Sequence, residues 1–133
     1  MSTEIEVSFP GNLKVEAKVG EFIIPTDQPE KTGGDGSAPT PFSLFAASIA
    51  TCAGFFALKF CRTRDIATDG MKLKMDYDWD KEKKRYAKMA IRLTLPDNFP
   101  AKYQTPLLRA LDQCLVMEHI HNPPEFETSI VSS

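Results

Sequence analysis

Cysteine is scarce in this chain of 133 residues: there are three, at positions 52, 61 and 114, and no two stand in C-x-x-C spacing. That excludes a thioredoxin-type redox motif and a zinc knuckle. Basic runs are lacking as well. The net charge is −2 with no block of lysine or arginine beyond the short Asp80–Arg85 segment, so the electrostatic footprint of a nucleic-acid binder is missing. There is no G-x-G-x-x-G and no Gly-Lys-Ser/Thr after Gly33-Gly34-Asp35-Gly36, which reads as a tight turn and not as a phosphate cradle. Only two histidines occur, His119 and His121; two residues apart on a helix they point to different sides, so no metal site and no cofactor is expected. The opening stretch MSTEIEVSFP carries acidic residues where a signal peptide needs positive charge, which points to a cytoplasmic protein.

What is present is an ordinary globular composition, 42% hydrophobic and 26% charged with nine Phe, in a length suited to one domain spanning 1–133. Ile5, Val7 and Phe9 alternate with polar residues, the turn Pro10-Gly11-Asn12 follows, and Leu13, Val15, Ala17 and Val19 resume the alternation. This predicts a hairpin with one buried face. Phe22-Ile23-Ile24 is a candidate third strand, and Thr26 to Pro41 has the composition of a loop. Met71, Leu73, Met75, Tyr77 and Trp79 form a second alternating run, turned by Asp80–Arg85 and answered by Met89, Ile91, Leu93 and Leu95, with Trp79 and Tyr77 expected in the core. Thr105-Pro106 opens a helix whose apolar stripe is Leu107, Leu111, Cys114 and Leu115. Pro123-Pro124 stops it, and Phe126 to Val131 is a candidate closing strand. Two hairpins interleaved with two helices make an α+β plan.

Between the hairpins lies a helix predicted from Pro41 to Arg64, with Thr40 as its cap. Phe42 to Leu58 holds no charge, the short edge of a membrane span. Its Ser43, Ser48, Thr51, Gly54 and alanines, with no Trp or Tyr at the ends, mark a core helix, so no membrane is expected. The helix has no polar face before Lys59, and one small domain cannot surround it, so a second copy of the chain is the expected cover.

Cys52 sits in the middle of that helix. Cys52 and Cys61 lie on opposite faces of one rod, whereas Cys52 and Cys114 belong to two helices that pack into one core, so their sulfurs are free to approach. From spacing alone, each of the three reads equally as a small buried hydrophobe.

Gly34-Asp35-Gly36 through Pro41, then Leu44-Phe45-Ala46-Ala47 and Cys52, resembles the first motif of the OsmC/Ohr family of osmotically inducible and organic hydroperoxide resistance proteins. Leu111-Asp112-Gln113-Cys114 is similar to the second, and the order of elements matches over nearly the whole chain. The resemblance implies antiparallel sheets wrapped around a long central helix in an intertwined homodimer. It implies a thiol peroxidase for organic hydroperoxides, in which Cys52 becomes a sulfenic acid that condenses with Cys114, and a dithiol reductant of the lipoyl type. Phe42, Phe45, Phe55 and Phe56 would supply a lipophilic substrate pocket. Cys61 matches nothing in the motif.

The resemblance fails at one place. The peroxidase members hold a catalytic arginine, from an N-terminal segment, with a glutamate directly after the motif proline. Here Phe42 follows Pro41, and no arginine precedes Arg62. Burial raises a thiol pKa, and the N-terminus of the central helix is about 16 Å from Cys52, too far for its dipole to act. A cation would have to come from a lysine such as Lys14, Lys18 or Lys31, or from His119. The competing expectation is an OsmC-like protein that binds a hydrophobic ligand, senses redox state or handles sulfur without peroxidase activity.

Overall fold

A computed structural model describes residues 3–132. By its backbone contacts the chain falls into two compact units, residues 1–47 and 48–133.

The first unit is a three-stranded antiparallel sheet of β1 (Ile5–Gly11), β2 (Lys14–Val19) and β3 (Phe22–Thr26) in the order β1-β2-β3. Ile5 pairs with Val19 and Val7 with Ala17, and Val19 with Phe22 and Ala17 with Ile24, so the alternation of the sequence sets the register. Both prolines in the sheet, Pro10 and Pro25, lie on its outer strands, where a missing N–H costs least. The expected buried face is not formed by this chain: Ile5, Val7 and Phe9 are exposed, Phe9 at 78%.

The loop after β3 is tied down from inside. Asp27 is fully buried and its carboxylate accepts hydrogen bonds from the Ser37 hydroxyl at 2.6 Å, the Ser37 N–H at 3.0 Å and the Gln28 N–H at 2.7 Å. The Ser37 hydroxyl, then the Ser37 N–H, holds its pKa far below the usual carboxylate range, outweighing burial. The glycine run is a turn, as its composition predicts. A Cβ on Gly34 would stand 2.0 Å from the Gln28 carbonyl oxygen, and Gly36 adopts a φ of 60°. Only glycine lets the chain pass that closely. Asn12 Nδ2 reaches across to the Gly33 carbonyl, and Lys14 pairs with Asp35.

α1 (Pro41–Thr63) starts where Thr40 and Pro41 place it: the Thr40 hydroxyl accepts from the Ser43 N–H at 3.1 Å. Its apolar window has a mean hydropathy of 1.8, enough by length and composition to cross a membrane. Its residues Ala53, Ala57 and Phe60 instead build a core with Leu107 and Leu111, flanked by Leu73, Ile91, Leu93 and Phe99. Burying a side chain such as Leu107 contributes about 1.5–3 kcal/mol. The opposite flank is uncovered in the chain, with Phe55 and Leu58 exposed.

The second unit also holds the hairpin of β4 (Lys72–Asp80) and β5 (Arg85–Thr94), with Leu73 facing Leu93 and Met75 facing Ile91. The Asp80 carboxylate accepts from the N–H groups of Glu82 and Lys83, which closes the turn. A bulge between Tyr77 and Trp79 breaks the alternation. Trp79 therefore lies outside the core, 55% exposed, with its ring 5.2 Å from that of Tyr86.

Two further expectations change. The helix expected to run unbroken from Thr105 is two helices, α2 (Gln104–Leu111) and α3 (Leu115–His121). Cys114 stands between them with φ −58° and ψ 123°, an extended conformation that turns the stripe, so Leu107 and Leu111 are buried while Leu115 is exposed. Residues 126–131 form no strand. Phe126, Ile130 and Val131 are exposed, with their apolar side chains uncovered.

Candidate active site

Cys52 is held by the middle of α1 and Cys114 by the break between α2 and α3, and the structure brings their side chains into hydrogen-bonding contact. Both are free thiols, Cys114 fully buried and Cys52 half-buried. The core places them. Leu107 and Leu111 pack on Ala53, Ala57 and Phe60 and bring the end of α2 against α1.

The break at Cys114 has a chemical consequence. The first N–H groups of any helix lack partners within the helix, and at α3 they meet sulfur. The N–H groups of Val116 and Leu115 donate towards Cys52, and those of Met117 and Val116 towards Cys114. Burial is the strongest single influence on Cys52 and opposes its ionisation. The Cys114 thiol and the N–H groups of Val116 and Leu115 together outweigh it, and the Cys52 thiol ends below its ordinary pKa. Cys114 goes the other way. Burial raises it first; donating its own proton to Cys52, and the charge that Cys52 then carries, raise it further against the N–H groups of Met117 and Val116. The pair is thus polarised: the pKa of Cys52 is lowered and that of Cys114 raised, with the Cys114 thiol donating to the Cys52 sulfur.

Two of the cations expected from the sequence are engaged elsewhere. Lys14 is engaged with Asp35, which raises its pKa through their hydrogen bond. His119 turns its Nδ1 to the Leu115 carbonyl of its own helix at 2.8 Å. Among the described residues no group of three His, Cys, Asp or Glu side chains is arranged to hold a metal ion. Sequence reading missed the α3 N-terminus because Leu115 continues the apolar stripe and neither Gly nor Pro marks the break. The one local signal is Asp112, a poor helix former that ends α2 as its C-cap.

The four phenylalanines named as a candidate substrate pocket all lie on α1. Phe42 and Phe45 meet at a tilt with ring centroids 5.5 Å apart, and Phe55 and Phe56 edge to face with centroids 5.4 Å apart. Phe42, Phe45 and Phe55 are exposed, and Phe56 is half-buried one turn beyond Cys52. Cys61 is fully buried, and burial pushes its thiol pKa up, the Arg64 charge notwithstanding. It is an inert core residue.

The sequence model of the family described as OsmC-like protein matches residues 34–129. Among solved structures, a putative osmotic stress induced and detoxification response protein from Psychrobacter arcticus is 25% identical with a TM-score of 0.76, over 91% of this chain and 89% of that one. An organic hydroperoxide resistance protein OsmC from Legionella pneumophila is 20% identical with a TM-score of 0.59, over 90% of this chain and 89% of that one. The organic hydroperoxide resistance protein OhrB of Bacillus subtilis is 15% identical with a TM-score of 0.53, over 92% and 93%. These likenesses fix the fold as α+β with antiparallel sheets and a long helix. No curated protein matches the chain significantly.

Proposed function

We propose, from the premise that this chain belongs to the OsmC-like protein family, that it is a cysteine-based thiol peroxidase acting on organic hydroperoxides. The observation that carries the reading is the polarised thiol pair: Cys52 is held below the ordinary thiol range by three hydrogen-bond donors, one of which is the thiol of Cys114. Relatives of the same fold are named organic hydroperoxide resistance proteins.

The Cys52 thiolate attacks the terminal oxygen of the hydroperoxide. An S–O bond forms, the O–O bond breaks, and the alkoxide leaves and takes a proton to become the alcohol. Sulfur is oxidised to a sulfenic acid and the peroxide is reduced. The N–H groups of Leu115 and Val116, which faced the thiolate, remain beside the sulfur. Cys114 then attacks that sulfur: the S–S bond forms, the S–O bond breaks, and hydroxide departs with the Cys114 proton as water. A dithiol of the lipoyl type returns the disulfide to two thiols. Contact between the sulfurs makes the trapping step fast enough to forestall further oxidation.

The functional unit in this reading is an intertwined homodimer in the cytoplasm. Exposed Ile5, Val7, Phe9, Phe22 and Ile23 on the first sheet, and Phe126, Ile130 and Val131 late in the sequence, supply far more apolar surface than a lone chain keeps in water. The aromatic rings of Phe42, Phe45, Phe55 and Phe56 favour lipophilic peroxides. A second reading, a non-peroxidase OsmC-like protein binding a hydrophobic ligand, draws support from Phe42 at the position of the family glutamate. Stopped-flow reduction of cumene hydroperoxide separates them. Wild type should show a fast phase that Cys52→Ser abolishes, while Cys114→Ser keeps a single turnover and accumulates sulfenic acid. A wild-type rate no better than that of free cysteine defeats the peroxidase reading.

A further inference from the structure

A groove of about 340 Å³ runs along the second compact unit beside the C-terminal half of α1 and the segment from Pro106 to Gln113, in α2 and just beyond it. Its lining gathers three cations, Lys59, Arg64 and Arg109, with Phe56, Thr63 and Gln113 among the rest, and contains no carboxylate. The chain as a whole is net negative, and among the described residues no acidic side chain forms an ion pair with any of the three. Such a concentration of one sign in a concave site attracts anions. Arg64 is already ordered: its Nη1 donates to the Phe60 carbonyl and the Thr63 hydroxyl, both at 3.2 Å, and its guanidinium lies 3.6 Å over the Phe60 ring. An arginine fixed in this way keeps donors free for a planar anion and loses little rotamer freedom on binding.

The groove adjoins the thiol pair in the chain. Phe56 lies one turn and Lys59 two turns beyond Cys52 on the same side of α1, about 10 Å along the axis for Lys59, and Gln113 directly precedes Cys114. Apolar Phe56 thus separates the thiol from the cations. We propose that this groove is a carboxylate-binding site, in which Lys59, Arg64 and Arg109 hold the head of an amphipathic organic acid whose apolar chain lies along α1 towards Cys52. Its role in anchoring acid-bearing peroxides rests on the peroxidase reading; its preference for a carboxylate on an apolar chain does not.

Two measurements on the full-length protein test it. The first is calorimetric binding of laurate, dodecanol and inorganic phosphate to wild type and to Lys59→Gln/Arg109→Gln. Laurate should bind wild type more tightly than either other probe, and the double variant should lose about tenfold or more in laurate affinity, as expected for charge-assisted hydrogen bonds. An unchanged thermal melt shows that the variant is folded, and Arg64→Gln, tested alone, should weaken laurate in the same direction. Equal binding of laurate and dodecanol, tighter binding of phosphate, or laurate affinity unmoved by all the substitutions overturns the site. The second is the ratio of kcat/KM for linoleic acid hydroperoxide to that for its methyl ester. It should favour the acid in wild type and fall about tenfold in the double variant. A ratio that does not move overturns the anchoring role. If neither peroxide is consumed while laurate binding behaves as stated, the peroxidase reading fails and the carboxylate site stands.

Discussion

Asp27 and Cys52 are two acids whose pKa values are lowered by similar means in different surroundings. Each has its pKa lowered against the resistance of burial by neighbouring N–H groups plus one side-chain donor, Ser37 for Asp27 and Cys114 for Cys52. Asp27 is sealed inside its own loop, fully buried, with all its donors within ten residues of it. Cys52 is only half-buried, and its donors come from α3. Hydrogen bonding that stabilises an anion serves folding when the anion is closed off and chemistry when a reactant can reach it.

Substitutions sharpen this contrast. The largest effect on stability should come from Asp27→Ala, which strands the Ser37 and Gln28 donors and frees the 27–40 loop. The urea midpoint should fall by roughly 1 M, and a midpoint equal to wild type would show that the loop is held by something else. The pH dependence follows in sign. Asp27 has a folded pKa below its unfolded one, so its contribution is complete above the ordinary carboxylate range and drains away as pH falls through that range towards the folded value. Asp27→Asn should flatten this acid limb of the stability curve.

A smaller and differently placed effect is expected at the thiols. Followed by thiolate ultraviolet absorbance, Cys52 should ionise below the range of an unperturbed cysteine and Cys114 above it. Cys114→Ala removes the S–H donor, so the Cys52 transition should move to higher pH; no movement would remove Cys114 from the causes of its acidity. For stability the two cysteines act oppositely. Cys52, lowered on folding, stabilises above its unfolded pKa and loses this as pH falls through its folded value. Cys114, raised on folding, favours the native state below its unfolded pKa and loses that as pH rises through its folded value. The smallest effect belongs to Asp35→Asn. It breaks the ion pair with Lys14, and since surface pairs are worth little, the urea midpoint should stay within experimental error of wild type.

Much of the fold is legible in single residues. Thr40-Pro41 fixes the start of α1 because a cap and a preset φ act locally. Lys72–Asp80 and Arg85–Thr94 pair as their alternation requires, since period-two burial needs no knowledge of the rest of the chain. Gly34 and Gly36 announce a turn for the same reason. The failures occur where local preference and packing part company. Leu115 fits the helical stripe by spacing yet faces solvent, because the backbone turns at Cys114. Trp79 fits the core by alternation until a bulge moves it out. Ile5, Val7, Phe9 and residues 126–131 carry the marks of buried strands, and this chain alone does not bury them.

The sequence by itself determined where strands, turns and the long helix lie, because spacing, capping and turn chemistry act over a few residues; Cys52 and Cys114 stood out from Cys61 only through the family motifs they resemble. The lowered pKa of Cys52 was decided only by the tertiary structure. Ionisation answers to whatever donors stand beside the sulfur, and those donors belong to the first turn of a short helix that the chain reaches only after its second hairpin and α2.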